Sequence, residues 1–247
     1  MNATVAATGM DRPAFRDAAR VLTSVLAPLE KRCLIWMAKR MPRRINSDHL
    51  TALALAAMLG AGLSYWAASV NPWVGLLLVN VCLAINWFGD SLDGTLARVR
   101  NHQRPRYGFY VDHIVDAFGI AFLVGGMSLS TYMSPYVGLA LLVAYFMLSI
   151  EVYLATYSLG TFKISYFKIG PTELRILLAI GNLVLLFHPN ATIFGHELLL
   201  FDVGGVIAAI GLLVTLVVSA IGHTRELYRA EPIPGRPDSR VEGIPRS

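Results

Sequence analysis

Long apolar segments separated by short polar connections make up most of the chain. Six of these segments are apolar enough, and close enough to the roughly 20 residues that a spanning helix needs, to cross a bilayer. They cover residues 50–70, 73–98, 108–132, 136–159, 171–187 and 203–223. Prolines lie in the connections and separate the predicted helices, because a helix does not continue through proline. The pattern predicts an all-α integral membrane protein with six transmembrane helices.

The composition excludes most other classes of protein. Of the 247 residues, 55% are hydrophobic and 15% are charged, and the mean hydropathy is +0.55. Globular domains carry about 25% charged residues, and a chain this short cannot bury so much apolar surface in one soluble core. Soluble enzymes and disordered, collagen-like or disulfide-rich proteins are therefore excluded. Cys33 and Cys82 lie in apolar surroundings, so we predict neither a disulfide framework nor a metal-ligand pair.

The basic residues are distributed unevenly between the connections. Of the 21 Lys and Arg residues, nine precede the first predicted span, four surround the second connection, three surround the fourth, and five follow the last span. The other connections have none. With six spans, every basic group lies on one side of the membrane, which the positive-inside rule makes cytoplasmic. We therefore expect both termini in the cytoplasm, and we attribute the net charge of +5 to membrane topology rather than to nucleic-acid binding.

The segments outside the spans have patterns of their own. Residues 14–41 combine apolar and basic positions, which predicts an amphipathic helix in the membrane interface, held by apolar burial and membrane lipids. A solvated helix packed on the loops is the alternative. We divide the chain into a cytoplasmic N-terminal segment (1–48), a six-helix transmembrane domain with the candidate site (49–225) and a disordered cytoplasmic tail (226–247).

Acidic residues inside the predicted spans are the strongest functional signal, because a charge in the membrane costs free energy. Asp90, Asp116 and Glu151 each lie eight residues from the cytoplasmic end of a span, at a depth of about 12 Å. Asp93 follows Asp90 at i+3 and Asp116 follows Asp112 at i+4, so each pair shares a helix face. The sequence therefore predicts that aspartates from two helices face each other at one depth.

Four aspartates in a low dielectric would repel and become protonated unless a cation compensates them. Mg²⁺ binds carboxylates together with substrate phosphates, so we predict a one- or two-metal site that handles phosphate. Hydrogen bonds between neutral acids are the alternative. Gly94 and Ala97 lie on the face of Asp90 and leave room for a ligand, and Arg98 is placed to bind a phosphate. Ordinary helix packing is the alternative for the two small residues.

Together these residues resemble the signature of the CDP-alcohol phosphotransferases, D-x2-D-G-x2-A-R followed after a short gap by G-x3-D-x3-D. Every fixed position is present, as Asp90, Asp93, Gly94, Ala97, Arg98, Gly108, Asp112 and Asp116. The six-span layout and the N-terminal amphipathic segment are also similar to the family. The resemblance implies a protein that moves a substituted phosphoryl group from a CDP-linked donor to an alcohol and releases CMP.

The resemblance also implies roles for single residues. The metal ions, expected to be two Mg²⁺ or Mn²⁺, would be bound by Asp90, Asp93, Asp112 and Asp116. Asp116 would also act as the base on the acceptor hydroxyl. The CDP pocket would be lined by Gly94, Ala97, Arg98 and Gly108. Thr51 is similar to a threonine near the nucleotide in family members, with helix capping as the alternative.

Four further residues are candidates for an acceptor or lipid pocket. Lys163, Lys168 and Arg175 gather near the predicted cytoplasmic mouth, where they would bind an acceptor phosphate or a lipid phosphate. The alternative is that they only follow the positive-inside rule. Glu151 lies outside the signature and would select the acceptor, or else pair with Arg175 or Lys163.

The resemblance leaves two substrate pairings open. In the favoured one, CDP-diacylglycerol gives its phosphatidyl group to a small alcohol. In the other, a CDP-linked headgroup of the ethanolamine or choline type is the donor and a lipid alcohol is the acceptor. A cation transporter is a remote alternative, although transporter sites belong near the midplane. Glycines that allow close helix contact, Gly60, Gly62, Gly125 and Gly126, make a homodimer our expectation.

Overall fold

The structure, a computed structural model, describes residues 27–159, 170–231 and 233. Over these residues the chain forms helices joined by short connections and one antiparallel hairpin. The helices are α1 (Ala27–Arg40), α2 (Ser47–Ala68), α3 (Pro72–Val99), α4 (Pro105–Ser128), α5 (Pro135–Leu159), α6 (Pro171–Leu185) and α7 (Leu200–Ala230). The strands are β1 (Asn190–Ile193) and β2 (His196–Leu199).

Prolines set where the helices begin. Helices α3, α4, α5 and α6 each start with a proline, at positions 72, 105, 135 and 171. The first turn tolerates proline because its N–H groups have no partner inside the helix. Helices α2, α3, α4, α5 and α7 are long and apolar enough to cross a membrane. The chain is therefore a mostly helical, multi-pass membrane protein. Helix α6 coincides with the fifth predicted span but has only 15 residues, so the six-span count stays a prediction.

Several predicted boundaries differ from those of the structure. Helix α4 ends at Ser128, four residues before the predicted end at 132, because Leu129 caps the helix and a turn follows. Helix α7 continues to Ala230, past the predicted end at 223 and into the segment assigned to the tail. The hairpin of β1 and β2 lies in the fifth predicted connection, between residues 187 and 203. Its turn has Phe194 at φ 50° and Gly195 at φ 82°, the backbone that two-residue hairpin turns require.

The centre of the bundle is the crossing of α2 with α3 and α4. At this crossing Gly62 of α2 and Gly126 of α4 bring the two backbones together. A Cβ added at Gly126 would lie 2.2 Å from the backbone oxygen of Gly62. The surrounding core contains Tyr65, Leu76 and Val79, which are buried almost completely. Two of the glycines assigned to close helix contact therefore serve packing within one chain.

A series of buried hydrogen bonds joins α2, α3 and α6 away from the candidate site. The hydroxyl of Tyr65 donates to Oδ1 of Asn182 at 2.6 Å, and Nδ2 of Asn182 donates to Oδ1 of Asn80 at 2.8 Å. Asn182 is fully buried. Because buried polar groups are costly without partners, these two hydrogen bonds fix α6 against α2 and α3.

Helix α1 packs on α3 through one face. Leu34 and Ala38 are buried in a cluster with Leu50, Leu92 and Leu96. The turn after α1 is held by Arg100, which donates hydrogen bonds to the backbone oxygens of residues 41, 42 and 45. The first part of the predicted amphipathic helix, residues 14–26, lies outside the described residues. The described part is therefore anchored next to the start of α2 and the end of α3.

Candidate active site

Three of the four predicted aspartates meet between α3 and α4. One carboxylate oxygen each from Asp90, Asp112 and Asp116 lies within 4.8 Å of the others. Asp90 and Asp112 are half-buried and Asp116 is exposed. The helical spacing of Asp112 and Asp116 aims both at α3, as their i, i+4 relation predicts. Two helices therefore bring hard oxygen ligands to one point.

Asp93 is held differently from the other three. Its Oδ2 accepts a hydrogen bond from the Thr51 hydroxyl at 2.6 Å, and its Oδ1 accepts one from the backbone N–H of Gly94. The Ser47 hydroxyl donates to the backbone oxygen of Asp93 at 2.9 Å. Asp93 is still close enough to Asp90 and Asp112 for their charges to interact. The first turns of α2 therefore orient this carboxylate at the edge of the acidic cluster.

The two small residues and the arginine of the signature line one face of α3. A Cβ added at Gly94 would meet Nη1 of Arg98 at 3.5 Å, so the guanidinium lies over the open side of Gly94. Nη2 of Arg98 donates to the Thr95 hydroxyl at 3.1 Å. Ala97 is half-buried, and a Cβ added at Gly108 would meet nothing within 4 Å. Gly108 thus leaves open space at the start of α4, whereas the Arg98 guanidinium covers the face of Gly94.

Arg175 of α6 reaches into the site. Its Nη2 lies 2.5 Å from Oδ2 of Asp90, and its Nε donates to Oδ1 of Asn86 at 2.8 Å. Its Nη1 is buried without a hydrogen-bond partner among the described residues. The alternative prediction that Glu151 pairs with Arg175 is wrong, because Arg175 pairs with Asp90 and Glu151 with His223. Both N–H groups of Nη1 therefore lack an acceptor among the described residues.

Glu151 belongs to a second polar cluster, between α5 and α7. Its Oε1 lies 2.6 Å from Nδ1 of His223, and its Oε2 accepts a hydrogen bond from Ser219 at 2.9 Å. These contacts connect the C-terminal half of α5 with the C-terminal half of α7. Lys163 and Lys168, the other candidates for the acceptor pocket, lie outside the described residues.

Helix α5 contributes residues that the sequence analysis missed. Tyr145 and Tyr153 lie close enough to Asp116 to interact with its charge. The ring of Tyr153 also packs edge-on against His113, at 4.9 Å between centroids. Together with Ser149, these tyrosines occupy positions i, i+4 and i+8 of α5. That polar stripe was the available signal, because residues at this spacing share one helix face.

An ion pair fixes the connection between α3 and α4 against α2. Nη2 of Arg104 lies 2.7 Å from both carboxylate oxygens of Asp48. This hydrogen bonding raises the pKa of Arg104 above its usual value. Its guanidinium also lies 3.9 Å from the ring centre of Tyr107. The start of α4, and with it Gly108, is thereby placed next to the first turn of α2.

The acidic cluster has the chemistry of a divalent-metal site. Its donors are all carboxylate oxygens, which Mg²⁺ and Mn²⁺ prefer over softer donors. The oxygens of Asp90, Asp112 and Asp116 are already grouped on two rigid helices. Three like charges at this distance favour a cation among them. The residues present therefore fit such ions.

Comparison with known proteins identifies a family and a similar fold. The sequence profile of the CDP-alcohol phosphatidyltransferase family matches residues 44–218, which include every signature position. Among solved structures, the chain is similar to Mycobacterium tuberculosis phosphatidylinositol phosphate synthase with CDP-DAG bound. That likeness has 19% sequence identity and a TM-score of 0.50, and it covers 83% of this chain and 96% of that chain. At this identity it supports the fold alone.

No curated protein sequence matches the chain significantly. The family match nevertheless covers most of the chain. The family depends on divalent metal ions, for which the aspartate cluster offers ligands. The chain belongs to the CDP-alcohol phosphatidyltransferase family and is a membrane enzyme of phospholipid synthesis that works by phosphatidyl transfer.

Proposed function

We propose that this enzyme transfers the phosphatidyl group of CDP-diacylglycerol to a small alcohol and releases CMP. The observation that carries the proposal is the convergence of Asp90, Asp112 and Asp116 on two helices that also carry Arg98 and the open face of Gly108. The similar solved structure has CDP-DAG bound, which supports this lipid as the donor. Family membership argues against the cation-transporter alternative.

The proposed metal site consists of Asp90, Asp93, Asp112 and Asp116, with two ions of Mg²⁺ or Mn²⁺. When bound, the ions supply positive charge that neutralises the diphosphate as CMP leaves. The Thr51 hydroxyl orients Asp93, because its 2.6 Å hydrogen bond fixes one carboxylate oxygen. Rigid ligands of this kind reduce the reorganisation needed when a charged substrate binds.

Asp116 is the proposed general base. It is the most exposed carboxylate of the cluster and is therefore open to an incoming hydroxyl. The acceptor oxygen forms a bond to the phosphorus that carries the diacylglycerol, and the bond from that phosphorus to the CMP oxygen breaks. The hydroxyl proton passes to a carboxylate oxygen of Asp116, which later releases it to water. Such a base works only within hydrogen-bond reach of the hydroxyl.

The proposed donor pocket lies along α3 and the start of α4. Arg98 binds the diphosphate of CDP, since a guanidinium pairs well with phosphate oxygens. Gly94, Ala97 and Gly108 allow the nucleotide to approach the helix backbone. This assignment is supported by the open space beside Gly108 and by the position of Arg98 over Gly94.

We propose that the pocket for the acceptor alcohol, the acceptor side of the site, includes Arg175. The buried Nη1 of Arg175 has no hydrogen-bond partner among the described residues. Lys163 and Lys168 are proposed to add positive charge there for an acceptor phosphate or a lipid phosphate. Glu151 is proposed to shape the same side from α5, although its described contacts are with α7. A phosphorylated small alcohol fits this set of charges best.

The membrane arrangement completes the proposal. We propose six spans, with α6 as the fifth, both termini in the cytoplasm, and division into segments 1–48, 49–225 and 226–247. Helix α1 is proposed to lie at the membrane interface: Leu29 and Trp36 are exposed beside the basic residues Lys31 and Arg32. A homodimer is also proposed. Single-cysteine labelling from either side of sealed vesicles would test the topology.

The activity is tested by measuring CMP release from purified enzyme over a panel of donors and acceptors. The donors are CDP-diacylglycerol and CDP-ethanolamine; the acceptors are glycerol phosphate, serine, an inositol phosphate and diacylglycerol. Reactions contain Mg²⁺, Mn²⁺ or a chelator. We expect metal-dependent CMP only with CDP-diacylglycerol and a small alcohol. Release only from CDP-ethanolamine with diacylglycerol would favour the other pairing, and no release with any donor would refute the proposal.

A further inference from the structure

Glu30, in the first turn of α1, is the acceptor for three side chains from two other helices. Its Oε1 accepts hydrogen bonds from Nε1 of Trp87 at 2.7 Å, from the Thr172 hydroxyl at 2.8 Å and from the Ser91 hydroxyl at 3.3 Å. Trp87 and Ser91 belong to α3, and Thr172 belongs to α6. Three hydrogen bonds to one oxygen therefore join α1 to α3 and α6.

The partners of Glu30 lie next to the residues of the acidic site. Trp87 precedes Asp90 by three residues on α3, and Thr172 precedes Arg175 by three residues on α6. Residues three apart lie on the same side of a helix. The side of α3 that contacts Glu30 is therefore continuous with the side that presents Asp90, and the same holds for α6 and Arg175.

These contacts close a ring through three helices. Glu30 joins α1 to α3 and α6, and the contact of Arg175 with Asp90 joins α6 back to α3. Along α3, Asp90 lies between Trp87 and Ser91, the two residues that contact Glu30. Among the described hydrogen bonds, Glu30 contacts neither Asp90 nor Arg175. It therefore acts on them only through the position of the helices that carry them.

We propose that Glu30 is a positioning residue for the transfer reaction, which holds the start of α6 against α3 so that Arg175 meets Asp90. The proposal rests on the proposed function of the acidic site. The role is geometric: Glu30 supplies an acceptor oxygen, and the reaction does not need its negative charge. Helix α1 thereby contributes to the geometry of the acceptor side through Glu30.

The test compares Glu30→Gln, Glu30→Ala and Thr172→Val in the CMP-release assay. Gln keeps an acceptor oxygen, so we expect its kcat to stay within about twofold of the wild type. We expect Glu30→Ala to lower kcat about tenfold, which corresponds to about 1.4 kcal/mol, with the KM for CDP-diacylglycerol unchanged. Thr172→Val should lower kcat by a smaller factor. The control is Lys31→Ala, an exposed neighbour, with unchanged kcat.

The double variant Glu30→Ala/Arg175→Ala supplies a readout that loss of stability alone would not produce. If Glu30 acts through Arg175, the double variant is no slower than Arg175→Ala alone, because coupled residues are not additive. Additive losses, or a Glu30→Gln variant as slow as Glu30→Ala, would overturn the proposal. A wild-type enzyme without metal-dependent CMP release would instead refute the proposed function, so the two failures are distinguishable.

Discussion

The crossing of α2 and α4 offers the sharpest test of the packing. In Gly126→Ala the new Cβ would lie 2.2 Å from the backbone oxygen and 2.3 Å from the Cα of Gly62. Favourable contacts between such atoms are at about 3.5 Å, so the helices would have to separate by roughly 1 Å. Both opposing atoms belong to the backbone and have no rotamer by which to move away. Gly125→Ala is the matched control, because a Cβ there meets nothing within 4 Å.

The two variants are expected to differ in stability. Replacing a helical glycine by alanine gains about 1 kcal/mol of helix propensity, and this gain is common to both. Overpacking at Gly126 costs about 1–3 kcal/mol, which makes Gly126→Ala the less stable variant by that amount. For a chain of this size each kcal/mol corresponds to about 2–4 °C in Tm.

Thermal unfolding of the detergent-purified variants, followed by intrinsic fluorescence, measures this difference. CMP release at a permissive temperature adds a functional readout. Helix α2 carries Thr51, and α4 carries Asp112 and Asp116. A separation of these two helices would move the residues of the site apart, so we expect only Gly126→Ala to lose activity. A Gly126→Ala protein with the Tm of Gly125→Ala would refute the close crossing.

Further variants test the site and the series of buried hydrogen bonds. Asp116→Asn should abolish CMP release while sparing nucleotide binding, and wild-type turnover in this variant would contradict the role of Asp116 as base. The control is Glu197→Gln, exposed on the hairpin, which should leave both CMP release and nucleotide binding unchanged. Thr51→Val should lower kcat about tenfold, because a hydrogen bond to a charged group contributes about 1.5–3 kcal/mol. Thr51→Ser keeps the hydroxyl and should retain the wild-type kcat, so equal rates for the two variants would count against the contact with Asp93. Tyr65→Phe should lower the free energy of unfolding by about 1–3 kcal/mol, because it removes the donor to a buried amide, and an unchanged Tm would argue against that hydrogen bond.

The local rules of helices explain what could be anticipated along the chain. Prolines predicted where the connections lie, and four helices begin at these prolines, because a proline is accommodated in the first turn. Helix α4 begins at Pro105, three residues before the predicted start at 108. The i, i+4 spacing of Asp112 and Asp116 predicted that they act together, and their carboxylates do meet Asp90. The end of α4 was wrong by four residues, since apolar residues continue past Ser128 into a turn and give no composition signal.

By itself the sequence determined that the chain enters a membrane, which residues form the signature, and which aspartates share a helix face. These properties depend on composition and on the helical period, and both are local. Only the tertiary structure decided that Arg175 meets Asp90, that Thr51 holds Asp93, and that Glu151 contacts His223 instead of Arg175. Such pairs lie 42 to 85 residues apart, so their contact depends on how the helices pack and not on spacing along one helix.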